Sequence, residues 1–81
     1  MILLTCFVID QLNIIDQFDI ECEFEESINL ESQIGDFTEI IAESWMDNKG
    51  RKLSLSDEAE FYSDFDFNDG VGLMTSILLN Q

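Results

Sequence analysis

Asp64, Asp66 and Asn68 place oxygen-bearing side chains two residues apart, which is how the ligands of an EF-hand calcium loop begin. Such a loop also requires a glycine at its sixth position and a bidentate glutamate at its twelfth. With Asp64 first, these positions hold Asp69 and Thr75, so both requirements fail. We therefore predict a strand with acid on one face, no dedicated metal site and no cofactor. Weak binding of Ca²⁺ or Mg²⁺ to clustered carboxylates stays open.

Enzymatic catalysis has little support in the sequence. The chain contains no histidine, and its 3 cationic residues are Lys49, Arg51 and Lys52. The usual general base is therefore missing, and few groups could stabilise an oxyanion or a phosphoryl group. A glycosidase-like pair of carboxylates would need a cleft, for which a chain of 81 residues has little volume. We predict that the protein is not an enzyme.

The two cysteines, Cys6 and Cys22, predict neither zinc binding nor redox chemistry, because they lack CxxC spacing and the chain has no histidine. Unpaired cysteines are commonly buried, so we interpret both as small core residues. The N-terminal run MILLTCFVI lacks a positively charged leader and is too short to span a bilayer. We therefore expect a cytoplasmic protein, in the host cytoplasm if a phage encodes it.

The net charge is the unusual property of this chain. It is −15, from 18 Asp and Glu against 3 Lys and Arg, where a small soluble domain typically carries a magnitude of about 2 to 8. The three cations lie within residues 49–52, so most carboxylates have no cation near them in sequence. Such self-repulsion is retained for solubility, salt tolerance, cation binding or a basic partner. Its sign disfavours direct binding to nucleic acid or to an anionic membrane.

The pattern along the chain predicts one domain, residues 1–81, with an antiparallel sheet. Residues 2–9 form an apolar run typical of a central strand covered on both faces, and residues 10–13 suit a hairpin. Residues 18–25 then alternate strictly between apolar and acidic. The side chains of one face are Phe18, Ile20, Cys22 and Phe24, and those of the other are Asp19, Glu21, Glu23 and Glu25.

A helix is predicted over residues 36–47, after a capping arrangement of Asp36 and Glu39. Its inner stripe is expected to be Phe37, Ile40, Ile41, Ser44 and Trp45, and its outer row Glu39, Glu43 and Asp47. Residues 51–55 suit a short strand. The tail, residues 71–80, fits a helix slightly better than a strand paired through the Asn68-Asp69-Gly70 turn. The predicted fold is α+β, a small antiparallel β-sheet with one main α-helix packed on one face.

Acid on regular elements predicts a function in binding. Carboxylates two residues apart on a strand are separated by about 6.6 to 6.8 Å, and rigid rows of charge can occupy a groove that normally holds DNA phosphates. We therefore predict an inhibitor that mimics nucleic-acid charge and blocks a basic nucleic-acid-binding protein, such as a nuclease, CRISPR effector, restriction enzyme or repair enzyme. The predicted partner-binding residues are Asp19, Glu21, Glu23, Glu25, Glu39, Glu43, Asp64 and Asp66.

In size and charge the chain resembles the small acidic inhibitors that phages direct against host DNA enzymes. These include uracil-DNA glycosylase inhibitors, anti-restriction proteins and anti-CRISPR proteins. The resemblance is one of class, since no motif is shared, and it assigns no role to any residue. Two alternatives stay open. One is an immunity protein or antitoxin that neutralises a cationic nuclease toxin, with Trp45 or Tyr62 as an anchor. The other is a soluble acidic domain whose charge serves solubility alone.

Overall fold

The fold is a four-stranded antiparallel sheet with one α-helix packed on one face, as the sequence predicted. The computed structural model describes residues 2–23, 29–66 and 72–79. The strands lie in the order β2-β1-β3-β4, which makes β2 and β4 the edge strands. The elements are β1 Ile2–Asp10, β2 Asn13–Cys22, α1 Leu30–Asn48, a 3-10 helix at Gly50–Lys52, β3 Glu60–Asp66 and β4 Gly72–Leu78.

The first strand is central, as predicted, but only one of its faces is covered. Leu4, Cys6 and Val8 are completely buried beneath α1. Their neighbours Leu3 and Phe7 point to the opposite face, where Leu3 is 44% exposed. The expectation that both faces are covered was wrong, because the single helix of the described residues lies on one side of the sheet.

A two-residue turn joins β1 to β2, which confirms the predicted hairpin. Both turn residues have positive φ, 50° at Gln11 and 69° at Leu12. Two positive φ values in succession are the mark of a type I′ turn, whose twist matches that of the flanking strands. Leucine is an unfavourable residue in this conformation, and the Leu12 side chain is 98% exposed. The turn therefore holds a strained, protruding apolar side chain.

Replacing Leu12 with glycine should raise the free energy of unfolding by about 0.5 to 1 kcal/mol. Glycine removes the left-handed strain, and its greater freedom in the unfolded chain offsets part of that gain. Leu12→Ala keeps a Cβ at the same φ and should give no such increase. Urea denaturation of the two variants beside the wild type measures the difference. Equal midpoints for both variants would show that the turn stores no strain.

The helix begins six residues before the predicted start. Asn29 caps it, with its side-chain oxygen accepting from the backbone N–H of Ser32 at 3.2 Å. Gly35 therefore lies inside the helix, at a cost of about 1 kcal/mol relative to alanine. The extra turn buries Ile34, which is 1% exposed, and half-buries Leu30. Burial of these side chains outweighs the glycine cost, because a buried Ile or Leu contributes about 1.5 to 3 kcal/mol.

The buried face of α1 is also rotated from the predicted stripe. Ile41 and Trp45 are buried as expected, whereas Ile40 is 63% exposed. Ser44 is also exposed, Phe37 is half-buried, and the remaining buried positions are Ile34, Thr38 and Ala42. The cause is Thr38, a polar residue that patterning assigned to no core position.

Thr38 tolerates burial because its hydroxyl is satisfied within the core. It donates to the carbonyl oxygen of Ile34 at 2.8 Å. Its oxygen also lies 2.7 Å from the hydroxyl oxygen of Ser63 on β3. Since the single proton of Thr38 goes to Ile34, Ser63 donates to Thr38. This pair links α1 to the sheet without leaving a buried polar atom unsatisfied.

Trp45 is a core residue, since it is 5% exposed, and it cannot serve as the surface anchor considered above. Its indole N–H donates to Asp16 Oδ2 at 2.7 Å, and Lys49 Nζ lies 3.3 Å from the same oxygen. The hydrogen bond from Trp45 is the main cause that holds the pKa of Asp16 below its usual value, and Lys49 adds to it. Asp16 therefore ties β2 to the end of α1.

Asp16→Asn should lower the free energy of unfolding by about 1 kcal/mol at pH 7, because hydrogen bonds to charged groups are stronger than neutral ones. A lowered folded-state pKa means that the charged form stabilises the fold above the unfolded pKa of about 3.9. That contribution is lost as the pH falls through the folded-state pKa. Wild type and variant should therefore converge near pH 2.5 in urea denaturation. A difference that persists unchanged at low pH would contradict this role for the carboxylate.

Two predicted elements differ in the structure. Residues 51–55 do not form a strand, because Lys52 and Leu53 donate backbone hydrogen bonds to Lys49 and Gly50 in a short 3-10 turn. The tail forms β4 instead of the favoured helix, and it pairs with β3 along its whole length. None of the described helices is long and apolar enough to cross a membrane.

Candidate interaction face

The sheet face opposite α1, here called the open face, is not covered by any described element. Residues paired across an antiparallel sheet share a face, so the register lists its side chains in rows. From β2 through β1 and β3 to β4, the four rows are Glu21, Leu3, Asp66 and Gly72; Asp19, Thr5, Asp64 and Met74; Gln17, Phe7, Tyr62 and Ser76; and Ile14, Ile9, Glu60 and Leu78. The first two rows carry acid, and the last two are mostly apolar.

Four carboxylates form a rectangle at one end of the open face. Asp19 and Asp64 flank Thr5, and Glu21 and Asp66 flank Leu3. We call Asp19, Glu21, Asp64 and Asp66 the acidic quartet. Its sides are about 6.8 Å along the strands and about 9.4 to 9.8 Å across them, from two residue rises and two strand spacings. The sequence predicted acid on each strand, and the register places both acidic rows on one face.

Gly72 leaves room for two members of the quartet. A Cβ built at Gly72 would lie 3.6 Å from Asp64 Oδ1 and 3.7 Å from Asp66 Oδ1. Both carboxylates of β3 therefore lean over the same position on β4, where the absent side chain gives them space. Asp64 and Asp66 lie on β3, so the prediction of a strand at these residues is confirmed. Asn68 lies outside the described residues.

The other end of the open face is apolar. The rings of Phe7 and Tyr62 lie 6.4 Å apart, and Ile14 and Leu78 are 61% and 47% exposed. A hydrogen bond to the Glu60 carboxylate raises the pKa of Tyr62, so its phenol remains a neutral donor at pH 7. The β1–β2 turn with Leu12 extends this end, because it follows Ile9 and precedes Ile14 in the hairpin. Charge and apolar surface thus occupy separate halves of one face.

The other predicted partner-binding residues lie away from the quartet. Glu23 is exposed just beyond the end of β2, and Glu25 lies outside the described residues. Glu39 and Glu43 are exposed on α1, on the opposite side of the sheet, where they border a groove beside β4. The structure therefore divides the predicted set into two surfaces. Sequence patterning missed the apolar half of the open face, because residues 2–9 looked like a strand with both faces covered.

The part of the chain that the structure describes contains no group of three His, Cys, Asp or Glu side chains arranged to hold a metal ion. Cys6 is buried, Cys22 is half-buried, and neither forms a disulfide. Burial raises the pKa of the Cys6 thiol to about 12, with smaller contributions from Cys22 and Asp19. This thiol is neutral at physiological pH and is packed as a small apolar side chain.

Comparisons with known proteins leave the geometry as the basis for a functional argument. No protein-family model matches the chain, and no significant match was found among curated proteins or solved structures.

Proposed function

We propose that this protein is a non-enzymatic inhibitor that binds a basic nucleic-acid-binding protein in place of nucleic acid. The open face is the binding surface, and the acidic quartet supplies the charge that imitates phosphates. The observation that carries this proposal is the register, which sets four carboxylates on one rigid face with β1 between them. The targets that suit it are host-defence nucleases, as for an anti-CRISPR or anti-restriction protein.

The charge density of the quartet supports the comparison with duplex DNA. B-DNA carries one charge per about 1.7 Å of axis, so a length of about 6.8 Å carries about four charges. The quartet presents four carboxylates over the same length of strand. Its two rows are about 9.4 to 9.8 Å apart, which lies between the widths of the minor and major grooves, about 6 and 12 Å. Cationic side chains placed to meet phosphates on both sides of a groove can therefore reach both rows.

The apolar half supports a protein as the partner. Steering by the quartet accelerates encounter with a cationic surface, but exposed charge pairs add little affinity. Tyr62, Phe7 and the protruding Leu12 offer apolar and aromatic contacts of the kind that dominate protein interfaces. Tyr62 also favours the second candidate function, an immunity protein for a cationic nuclease toxin. Both functions use the same face and differ in the target.

Capture from a bacterial lysate tests this proposal and separates its targets. Immobilised wild-type protein at 50 mM and at 500 mM salt should retain a basic nuclease, repair enzyme or CRISPR effector only at the lower concentration, because steering and exposed pairs are screened by salt. The variant D19N/E21Q/D64N/D66N should lose that protein. The control E31Q/D36N/D57N/E58Q removes the same charge from exposed positions away from the open face and should retain it. Equal capture by both variants would overturn the assignment of the face.

A further inference from the structure

The outer edge of β4 is a second surface with features of its own. β4 pairs only with β3 among the described strands, so one side of its backbone is unpaired. It is also the only described strand without a charged residue, in a chain of 18 acidic side chains. Exposed edge strands commonly carry charges or prolines that prevent pairing with another chain. β4 has neither, so its edge is open to a further strand.

The phase of the ladder shows which backbone groups face outward. Leu79 donates its N–H to the carbonyl oxygen of Ala59 at 2.9 Å, in line with the register of β3 and β4. Residues alternate between bonding inward and pointing outward along an antiparallel edge. The outward-directed N–H and C=O groups therefore belong to Met74, Ser76 and Leu78. Their side chains lie on the open face, and Leu73, Thr75 and Ile77 face α1.

A groove of about 580 Å³ lies between this edge and α1. Its apolar lining comes from Ala42 and Met46 on the helix and from Ile77 and Leu79 at the edge. Three carboxylates on the helix border it, those of Glu39, Glu43 and Asp47.

Glu39 and Glu43 are the acids of this groove that lack a cation. Asp47 is paired with Arg51 at 2.8 Å, and Lys49 pairs with Asp16. Within the described residues, neither ion pair involves Glu39 or Glu43. An apolar floor beneath free carboxylates suits the aliphatic stem and charged head of a lysine or arginine.

We propose that β4 accepts an extended basic segment of a partner protein as a fifth, antiparallel strand. Backbone hydrogen bonds to Met74, Ser76 and Leu78 hold the segment, and every second side chain, a lysine or arginine, enters the groove toward Glu39 and Glu43. This is recognition by strand addition, in which the backbone provides affinity and alternate side chains provide specificity. The proposal is independent of the open face, since it uses other side chains on the other side of the sheet.

A second copy of this chain is a poorer occupant of the same edge. Two β4 strands paired about a twofold axis would place both helices on one side of the joined sheet. The carboxylates of Glu39 and Glu43 would then face those of the other copy, in an assembly of two chains that each carry −15. A basic strand meets the same carboxylates with complementary charge.

The test uses a nine-residue peptide of alternating lysine and valine with blocked ends, titrated into the full-length protein by calorimetry at 50 mM salt. In the proposed antiparallel pairing, the valine N–H groups face β4. N-methylation of the valines should weaken binding at least tenfold, because it removes those donors. N-methylation of the lysines keeps charge and composition and should change affinity by less than threefold. Equal weakening by both modifications, or by neither, would show attraction by charge alone and overturn the proposal.

Variants of the protein then locate the peptide. Ser76→Pro removes an outward N–H while sparing the β3–β4 ladder, and proline is tolerated on edge strands. It should weaken binding about tenfold, whereas Ser76→Ala should not. E39Q/E43Q should also weaken it about tenfold, and D19N/E21Q, with the same charge change on β2, should have less than a threefold effect. A loss with D19N/E21Q instead would place the peptide at the other edge or on the open face, and would contradict this inference.

Discussion

Neutralising the acidic quartet should stabilise the free protein while it removes partner binding. In D19N/E21Q/D64N/D66N, the free energy of unfolding should rise by about 1 kcal/mol at 20 mM salt, since like charges about 7 Å apart in water repel by about 0.6 kcal/mol. The gain should shrink at 500 mM salt, where screening is strong. Affinity for the captured target should fall at least a hundredfold, because four charge contacts are lost together. Urea denaturation and calorimetry measure the two effects.

The opposite signs of these effects make the quartet prediction specific. Residues kept for folding lower stability when they are changed, whereas residues kept for binding at a cost to folding raise it. The control E31Q/D36N/D57N/E58Q also reduces the net charge by four but leaves the open face intact. It should retain affinity within about threefold. A quartet variant that binds as tightly as this control would show that the carboxylates of the open face are not the contact.

Phe61→Ala should unfold most of the protein. Phe61 is completely buried, and its ring lies 6.1 Å from that of Phe18 across the core. Removing a buried phenylalanine costs about 3 to 5 kcal/mol, against a total stability of about 4 to 12 kcal/mol for a domain of this size. Circular dichroism and urea denaturation report the loss.

Tyr62→Ala provides the matched control for this core variant. Tyr62 follows Phe61 in sequence but points to the open face, where it is half-buried. Its loss should cost about 1 kcal/mol of stability yet weaken target binding at least tenfold, as expected for an aromatic contact in an interface. Stable Phe61→Ala protein, or undiminished binding by Tyr62→Ala, would contradict the assignment of the two faces.

The strands with strict alternation were predictable. Phe18, Ile20 and Cys22 lie on the helix side of β2 and Asp19 and Glu21 on the other, because a period of two sorts residues by face whatever the tertiary context. The central place of β1 was likewise predicted from its apolar content. Its open second face was not, because an apolar run reads the same whether a partner or the protein's own core covers it.

Other elements required tertiary information. The tail fitted a helical stripe through Val71, Met74 and Ile77, and a short apolar run with Gly72 also fits a strand. Pairing with the exposed side of β3 decided the outcome. The helix face depended on Thr38, whose burial is acceptable because Ser63 donates to it from a strand 25 residues away. Neither contact is visible in local periodicity.

The candidate site was predictable in composition but not in assembly. Sequence alone identified the acids of both strands, yet only the register shows that Asp19 and Asp64 flank the same residue of β1. Register depends on how β3 returns to β1 after the helix, which no local pattern specifies. The same topology separates Glu39 and Glu43 from the quartet and places them beside the edge of β4.

Competition with duplex DNA is the most direct test of the proposed mimicry. The captured target is bound to a labelled duplex, and this protein is added at increasing concentration while fluorescence anisotropy reports the bound duplex. The account predicts complete displacement by wild type, an apparent affinity that weakens in proportion to duplex concentration, and no displacement by the quartet variant. A ternary complex in which the target holds both the duplex and this protein would contradict it.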